Sequence, residues 1–246
     1  MELGGSKPAG TPLESNMKLT SEVYDSFIKG DSDPEATKDD NLLADPCQYQ
    51  RLIGRLLYLT MTRIDIAYAV QVLSQIMHKP KQSHLKAAHR VVRYLKAAPG
   101  LGLLMPSNIS STLVAYCDSD WGGCLQTRRY VTGYLVKFGE ATISWKSKKQ
   151  DTVARNSAEA EFRSMASTVA ELTWLTGLYK ELGVDVNWPI FLYCDSKAAI
   201  QIAANPIFHE RTKHIDIDCH FVREKIIQGM IKTFHIYQGT TSRLTN

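Results

Sequence analysis

The sequence predicts an α/β fold: a five-stranded mixed sheet flanked by helices, preceded by a small helical region and an irregular N-terminal tail. Three observations predict it. Five short runs rich in β-branched and aromatic residues fall between residues 112 and 236. The first three follow one another through turn-rich links, whereas segments of helical period separate the last two. Ahead of them, residues 46–99 carry apolar side chains at spacings of three and four, and residues 1–46 do not.

Taken in order, residues 1–46 are rich in Gly, Pro, Ser, Asp and Lys, with "KGDSDPEATKDDN" the most polar stretch. Such a composition buries too little apolar area to order itself and reads as a linker or extended tail. Residues 47–110 form the helical region. "YQRLIGRLLYLTMTRIDIAYAVQVLSQIM" is amphipathic, and "SHLKAAHRVVRYLKAAPG" is a second helix opened by Ser83 as N-cap and stopped at Pro99-Gly100. Residues 111–246 hold the strands "TLVAYCD", "TGYLVKF" and "ATISWKS". Then come a long helix from Asn156 to Gly183, the strand "IFLYCD", the helices "SKAAIQIAAN" and "KHIDIDCHFVREKIIQG", and the strand "IKTFHI". A helix between the third and fourth strands allows a crossover that lays the fourth parallel to an earlier one.

With 246 residues and 44% hydrophobic content, the chain can build one ample core or two modest ones. A net charge of +4 is compatible with a polyanionic partner without identifying one. Five cysteines, odd in number and without a C-x-x-C pair, argue against a disulfide framework or a cysteine zinc site and for a reducing compartment. No apolar run approaches the ~20 residues of a membrane span, and the first residues lack signal-peptide character. The expectation is a soluble intracellular protein, cytoplasmic or nuclear, with no membrane partner.

The tetrapeptide "YCDS" occurs twice, ending the first strand at Asp118 and the fourth at Asp195. If those strands are parallel neighbours, both carboxylates emerge at one sheet end, where α/β sites gather. Close carboxylates repel unless a cation sits between them or one stays protonated, and hard oxygen donors suit Mg²⁺ or Mn²⁺. The long helix offers a third acid. Periodicity does not choose between Glu159 and Glu161, but with Asn156 as N-cap, Glu159 falls at N3 of a capping box, leaving Glu161 free for metal. Each Asp also has a structural reading, since strand-end acids cap turns and helices, and Asp195 could cap the helix after it. A second constellation, His209, His214, Asp216, Asp218 and His220, includes a helical spacing zinc ligands can use. A helix cap and solvated polar residues explain it as well.

The stretches "YCDSDWGGC", "TRRYVTGYLV", "ISWKSKKQDTVARNSAEAEF", "WLTGLYKELG", "YCDSKAAI" and "NPIFHERTKHIDIDCHFVRE" together resemble the C-terminal part of a Ty1/copia-type LTR retrotransposon Pol polyprotein. Residues from about 111 resemble its ribonuclease H domain. Through "KPAGTPLESNMKL", "YQRLIGRLLYLTMTRIDIAYAV" and "AAHRVVRYLKAAPG", the preceding residues resemble the region after the polymerase palm. The resemblance implies an RNase H-like sheet and cleavage of the RNA strand of RNA–DNA hybrids with two Mg²⁺ ions, Mn²⁺ substituting. By motif it makes Asp118, Glu161 and Asp195 the catalytic metal ligands. Lys146, Lys148, Lys149, Arg211, Lys213 and Arg223 are candidate phosphate contacts, and the rest of a reverse transcriptase, acting in trans, is a candidate partner. The polymerase's Y-x-D-D string is absent, so polymerisation is not expected.

The family pattern continues past the fifth strand as something like "HIPTKEQLADLLTK", whose Asp is a fourth metal ligand. This chain reads "HIYQGTTSRLTN". One back-translation of residues 237–246 restores the family string in the next frame, so a small deletion after Ile236 is hypothesised. A genomic sequence without that string in the shifted frame would dismiss it. The resulting expectation is weak or lost activity, or an inactive nucleic-acid-binding or protein-interaction remnant.

Overall fold

A computed structural model of the chain describes residues 5–14, 17, 19–29, 40–107, 110–205 and 215–236. The chain divides into two compact units, Met1–Leu103 with Cys124–Gln126, and Leu104–Gly123 with Thr127–Asn246.

In the first unit, helices α1 (Glu22–Lys29), α2 (Pro46–Leu59), α3 (Ala67–Ser74) and α4 (Gln82–Ala97) are described, with a 3₁₀ turn at Ile64–Ile66. Leu52, Ile53 and Leu56 of α2 meet Val70 and Leu73 of α3 and Ala87, Ala88 and Val91 of α4 in one apolar core. Three corrections to the sequence reading arise here. Residues 22–29, expected to be irregular, form α1, which Asp25 ties to the rest through Lys81. The long amphipathic stretch is broken, because Thr60 caps α2 and the backbone turns through Ile64–Ile66 before α3. Helix α4 starts one residue before Ser83, with Lys81 at its N-cap and the His84 ring Nδ1 accepting the Lys81 N–H at 3.0 Å.

The second unit is built on strands β1 (Thr112–Asp120), β2 (Val131–Phe138), β3 (Ala141–Lys149), β4 (Asn187–Cys194) and β5 (Ile231–His235). They form one sheet in the order β3-β2-β1-β4-β5. β1 to β3 are antiparallel neighbours, while β4 runs parallel to both β1 and β5. Helices α5 (Ser157–Glu181), α6 (Lys197–Ala204) and α7 (Asp216–Ile227) complete it. The five-stranded mixed sheet flanked by helices that the sequence predicts is present.

Alternation explains the strands. Leu113, Ala115 and Cys117 of β1 and Ile190, Leu192 and Cys194 of β4 are buried, as every second residue must be when one face covers a core. On the other row Tyr116, Tyr193 and Phe234 run across β1, β4 and β5, with successive ring centroids 5.3 and 5.5 Å apart. Helix α5 covers the core with Phe162, Met165, Val169 and Leu172, each fully buried and each contributing roughly 1.5–3 kcal/mol. Asn156 caps it, accepting the Glu159 N–H at 2.8 Å, and Gly183 follows its end at φ 71°, a conformation glycine adopts without strain.

Candidate active site

Because α5 carries the chain over the sheet between β3 and β4, β4 lands beside β1 and parallel to it. The register pairs Cys117 with Cys194, so Asp118 and Asp195 follow at one end of the two strands. Helix α5 supplies the third acid from its first turns. Asn156 and Glu159 hold that end: Glu159 accepts the Arg155 N–H at 2.9 Å and pairs with Arg163 at 3.2 Å. Glu159 therefore has a structural task, as capping chemistry anticipated, and Glu161 does not share it.

Glu161 is only 7% exposed, and its Oε2 is buried with no hydrogen-bond partner. Asp195 Oδ1 is likewise buried and unpartnered. Among the described residues one group could hold a metal ion: Glu161, Cys194 and Asp195, whose ligand atoms all lie within 4.8 Å of one another. Asp118 is not in that close group. It occupies the exposed row of β1, one register step past Cys117. Its backbone is fixed from below, where the fully buried Ser164 hydroxyl donates to the Asp118 carbonyl at 2.7 Å and lies 3.0 Å from the Gly133 carbonyl.

The three acids are electrostatically coupled. Burial, then the charges of Asp118 and Asp195, push the Glu161 carboxyl up to about 9. Burial and the Asp195 charge also raise Asp118, although its side chain reaches solvent. Without a counterion, the site therefore holds a proton at neutral pH instead of a third charge. Two orphaned carboxylate oxygens in a mutually repelling set are what a hard divalent cation would satisfy, so the donors fit Mg²⁺ or Mn²⁺.

Several residues around the site were not picked out by sequence reasoning. Cys194 stands in the close group. Its Sγ accepts the Ser196 N–H at 3.4 Å, and a hydrogen bond from Cys117 draws its thiol down while that of Cys117 is driven up. The signal was visible, since both "YCDS" copies put a cysteine before the acid, but only the acids were weighed. His235 Nε2 donates to the Asp195 carbonyl at 2.9 Å, tying the end of β5 to the site. Asp195 does not cap α6; the Ser196 hydroxyl does, accepting the Ala199 N–H at 3.2 Å. The turn after β1 places Gly122 at φ 69°, a conformation glycine adopts without strain.

The proposed phosphate contacts divide. Lys146 and Lys148 are exposed on one face of β3, with the half-buried Lys149 on the other. Arg223 turns toward α6, donating to the Asn205 carbonyl at 2.8 Å. Arg211, Lys213, His209 and His214 lie outside the described residues, as do residues 237–246. Among the described residues no helix is long and apolar enough to cross a membrane.

No protein-family model matches the chain. It is 41% identical over 230 residues to the retrovirus-related Pol polyprotein from transposon RE1 of Arabidopsis thaliana, covering 94% of this chain and 15% of the relative. To that from transposon TNT 1-94 of Nicotiana tabacum it is 34% identical over 231 residues, or 94% of this chain and 16% of the relative. The chain thus spans about one sixth of the length of these relatives. Among solved structures, LC11-RNase H1, isolated from compost by a metagenomic approach, is similar at TM-score 0.42 and 12% identity. That similarity covers 55% of this chain and 91% of the other.

Proposed function

The chain belongs to the retrovirus-related Pol polyproteins of Ty1/copia-type transposons, and from that premise we propose that its second unit is a metal-dependent ribonuclease H. The substrate class is the RNA–DNA hybrid, and the RNA strand is cut. The observation that carries the reading is the buried Glu161 carboxyl, its Oε2 without a partner, beside Asp195 at the end of two parallel strands. Asp118, Glu161 and Asp195 would hold two Mg²⁺ ions, Mn²⁺ substituting. When bound, such ions supply Lewis-acid polarisation of a phosphodiester and a more acidic water.

The chain's own residues do the rest. Ser164 and His235 hold the backbones of Asp118 and Asp195, so the carboxylates do not reorganise to meet the ions. Glu161 gives up its proton when a cation arrives, and becomes a third negative donor. Lys146 and Lys148 bring positive charge to the exposed face of β3 for the hybrid backbone, as recognition by shape and phosphate requires. Residues 47–110 correspond to the region following the polymerase palm, and 111–246 to the ribonuclease H domain. The polymerase-bearing remainder of a reverse transcriptase is the partner this division implies.

No Asp or Glu occurs among residues 225–246, where the family pattern places a fourth ligand. Weak turnover is the expectation. The test is cleavage of a labelled RNA–DNA hybrid by the purified chain beside Asp118→Asn, in Mg²⁺ and in Mn²⁺. Slow cutting of the RNA strand, faster in Mn²⁺ and lost in the variant, is expected. Hybrid binding without cleavage in either ion would favour the second reading, a nucleic-acid-binding remnant. Cleavage that survives Asp118→Asn would overturn the assignment.

A further inference from the structure

Cysteine spacing along the chain argues against a thiol-based metal site, yet the fold assembles one from strands far apart in sequence. Cys117 and Cys194 are register partners on parallel strands, both buried, both free thiols. Cys194 Sγ lies within 4.8 Å of a carboxylate oxygen of Glu161 and of one of Asp195. Glu161 is more than nine-tenths buried, and its Oε2 has no partner, an independent sign that this pocket is built for a ligand it does not itself contain.

We propose that Glu161, Cys194 and Asp195 form a binding site for a thiophilic divalent cation of the Zn²⁺ or Cd²⁺ type, separate in chemistry from the all-oxygen site used by Mg²⁺. One sulfur and two carboxylates are a three-ligand set, which in zinc centres leaves a fourth position for water. Tetrahedral bonds of ~2.3 Å to sulfur and ~2.0–2.2 Å to oxygen put ligand atoms about 3.5 Å apart. The present spread of up to 4.8 Å asks for an inward shift of roughly 1.3 Å at most, which the partly exposed Asp195 can make. Mg²⁺ prefers oxygen and ignores sulfur; a softer ion would take the thiolate and the Glu161 carboxylate, and the protons of Cys194 and Glu161 would pass to solvent. Cys117 stands beside Cys194, its Sγ 3.6 Å from the Tyr193 carbonyl.

The two carboxylates are shared with the ribonuclease reading, so a bound soft ion displaces Mg²⁺ and blocks that chemistry. The site itself does not depend on catalysis. Its test is a Cd²⁺ titration of the full, metal-free chain, followed by the ultraviolet thiolate-to-cadmium charge-transfer band and by proton release. The expected result is a saturable band that Cys194→Ser abolishes and that the exposed-thiol control Cys47→Ser retains. Glu161→Gln keeps every thiol and relieves a buried charge, so it should fold, and it should weaken Cd²⁺ binding at least about tenfold. A band of unchanged affinity in Cys194→Ser or in Glu161→Gln, or no band in the folded parent, would overturn the proposal. Mn²⁺ titration of the unmodified chain reads the carboxylates without sulfur, so a failed cadmium site and a failed ribonuclease site give different results.

Discussion

At the scale of single residues, Glu161 concentrates the physics of the site. A carboxyl that ionises near 4.5 in the unfolded chain is pushed up to about 9 in the fold by burial and by Asp118 and Asp195. Between those values the folded state binds more protons than the unfolded one, so stability falls as pH rises. The metal-free protein should therefore lose stability steadily from about pH 5 to pH 9. Glu161→Gln should flatten that slope and, at pH 8, exceed the parent by at least about 1 kcal/mol, as denaturant unfolding would register. A parent that gains stability over that range contradicts the burial of an uncompensated acid. Ser164 is the second telling residue. Ser164→Ala removes the donor beneath Asp118 and should cost about 1 kcal/mol while lowering hybrid cleavage more than thermal stability. Of the site, the three acids were legible because motif and capping chemistry each speak through local sequence. Ser164 and His235 were not, because their roles depend on which backbone passes beside them, and strand pairing decides that.

At the scale of elements, α5 and the β1–β4 pair make the site, and both were readable. The order strand, helix, strand allowed a crossover, and the repeated "YCDS" marked the two strand ends it brings together. Replacing the α5 cap, Asn156→Ala, should cost about 1 kcal/mol and fray the turn that presents Glu161; amide exchange in residues 157–161 would show it. Less legible was the first unit. Lys81, almost fully buried, pairs with Asp25 at 2.5 Å and Asp40 at 3.1 Å, and this triad holds α1 and residue 40 against the start of α4. Polar composition alone suggested an irregular tail, because the Gly, Pro, Ser and Asp around residues 22–29 outweigh one eight-residue amphipathic segment. Burial raises the two carboxyls, but the hydrogen bonds from Lys81, Thr20 and Ser83 more than offset it and leave them below the usual range. Depressed acids give stability that is present at neutral pH and lost on acidification below about 4. Lys81→Met leaves both charges uncompensated and should destabilise this unit by about 3 kcal/mol at pH 7, and by less in acid. An equal loss at both pH values would refute the charge network.

At the scale of the whole molecule, two compact units are joined in a chain that matches about one sixth of much longer Pol polyproteins. The first carries a helical core and no polymerase acid motif; the second carries the sheet and the acids. The chemistry proposed above therefore belongs to the second unit. Everything in this account turns on whether the carboxylates at the end of β1 and β4 capture a divalent ion with Glu161. Titration of the metal-free chain with Mn²⁺, following the loss of the free-ion paramagnetic resonance signal, asks that question directly. The account predicts saturable binding that weakens at least about tenfold in Glu161→Gln and in Asp195→Asn. Binding of equal affinity in the parent and both variants, or none in a folded parent, would contradict it.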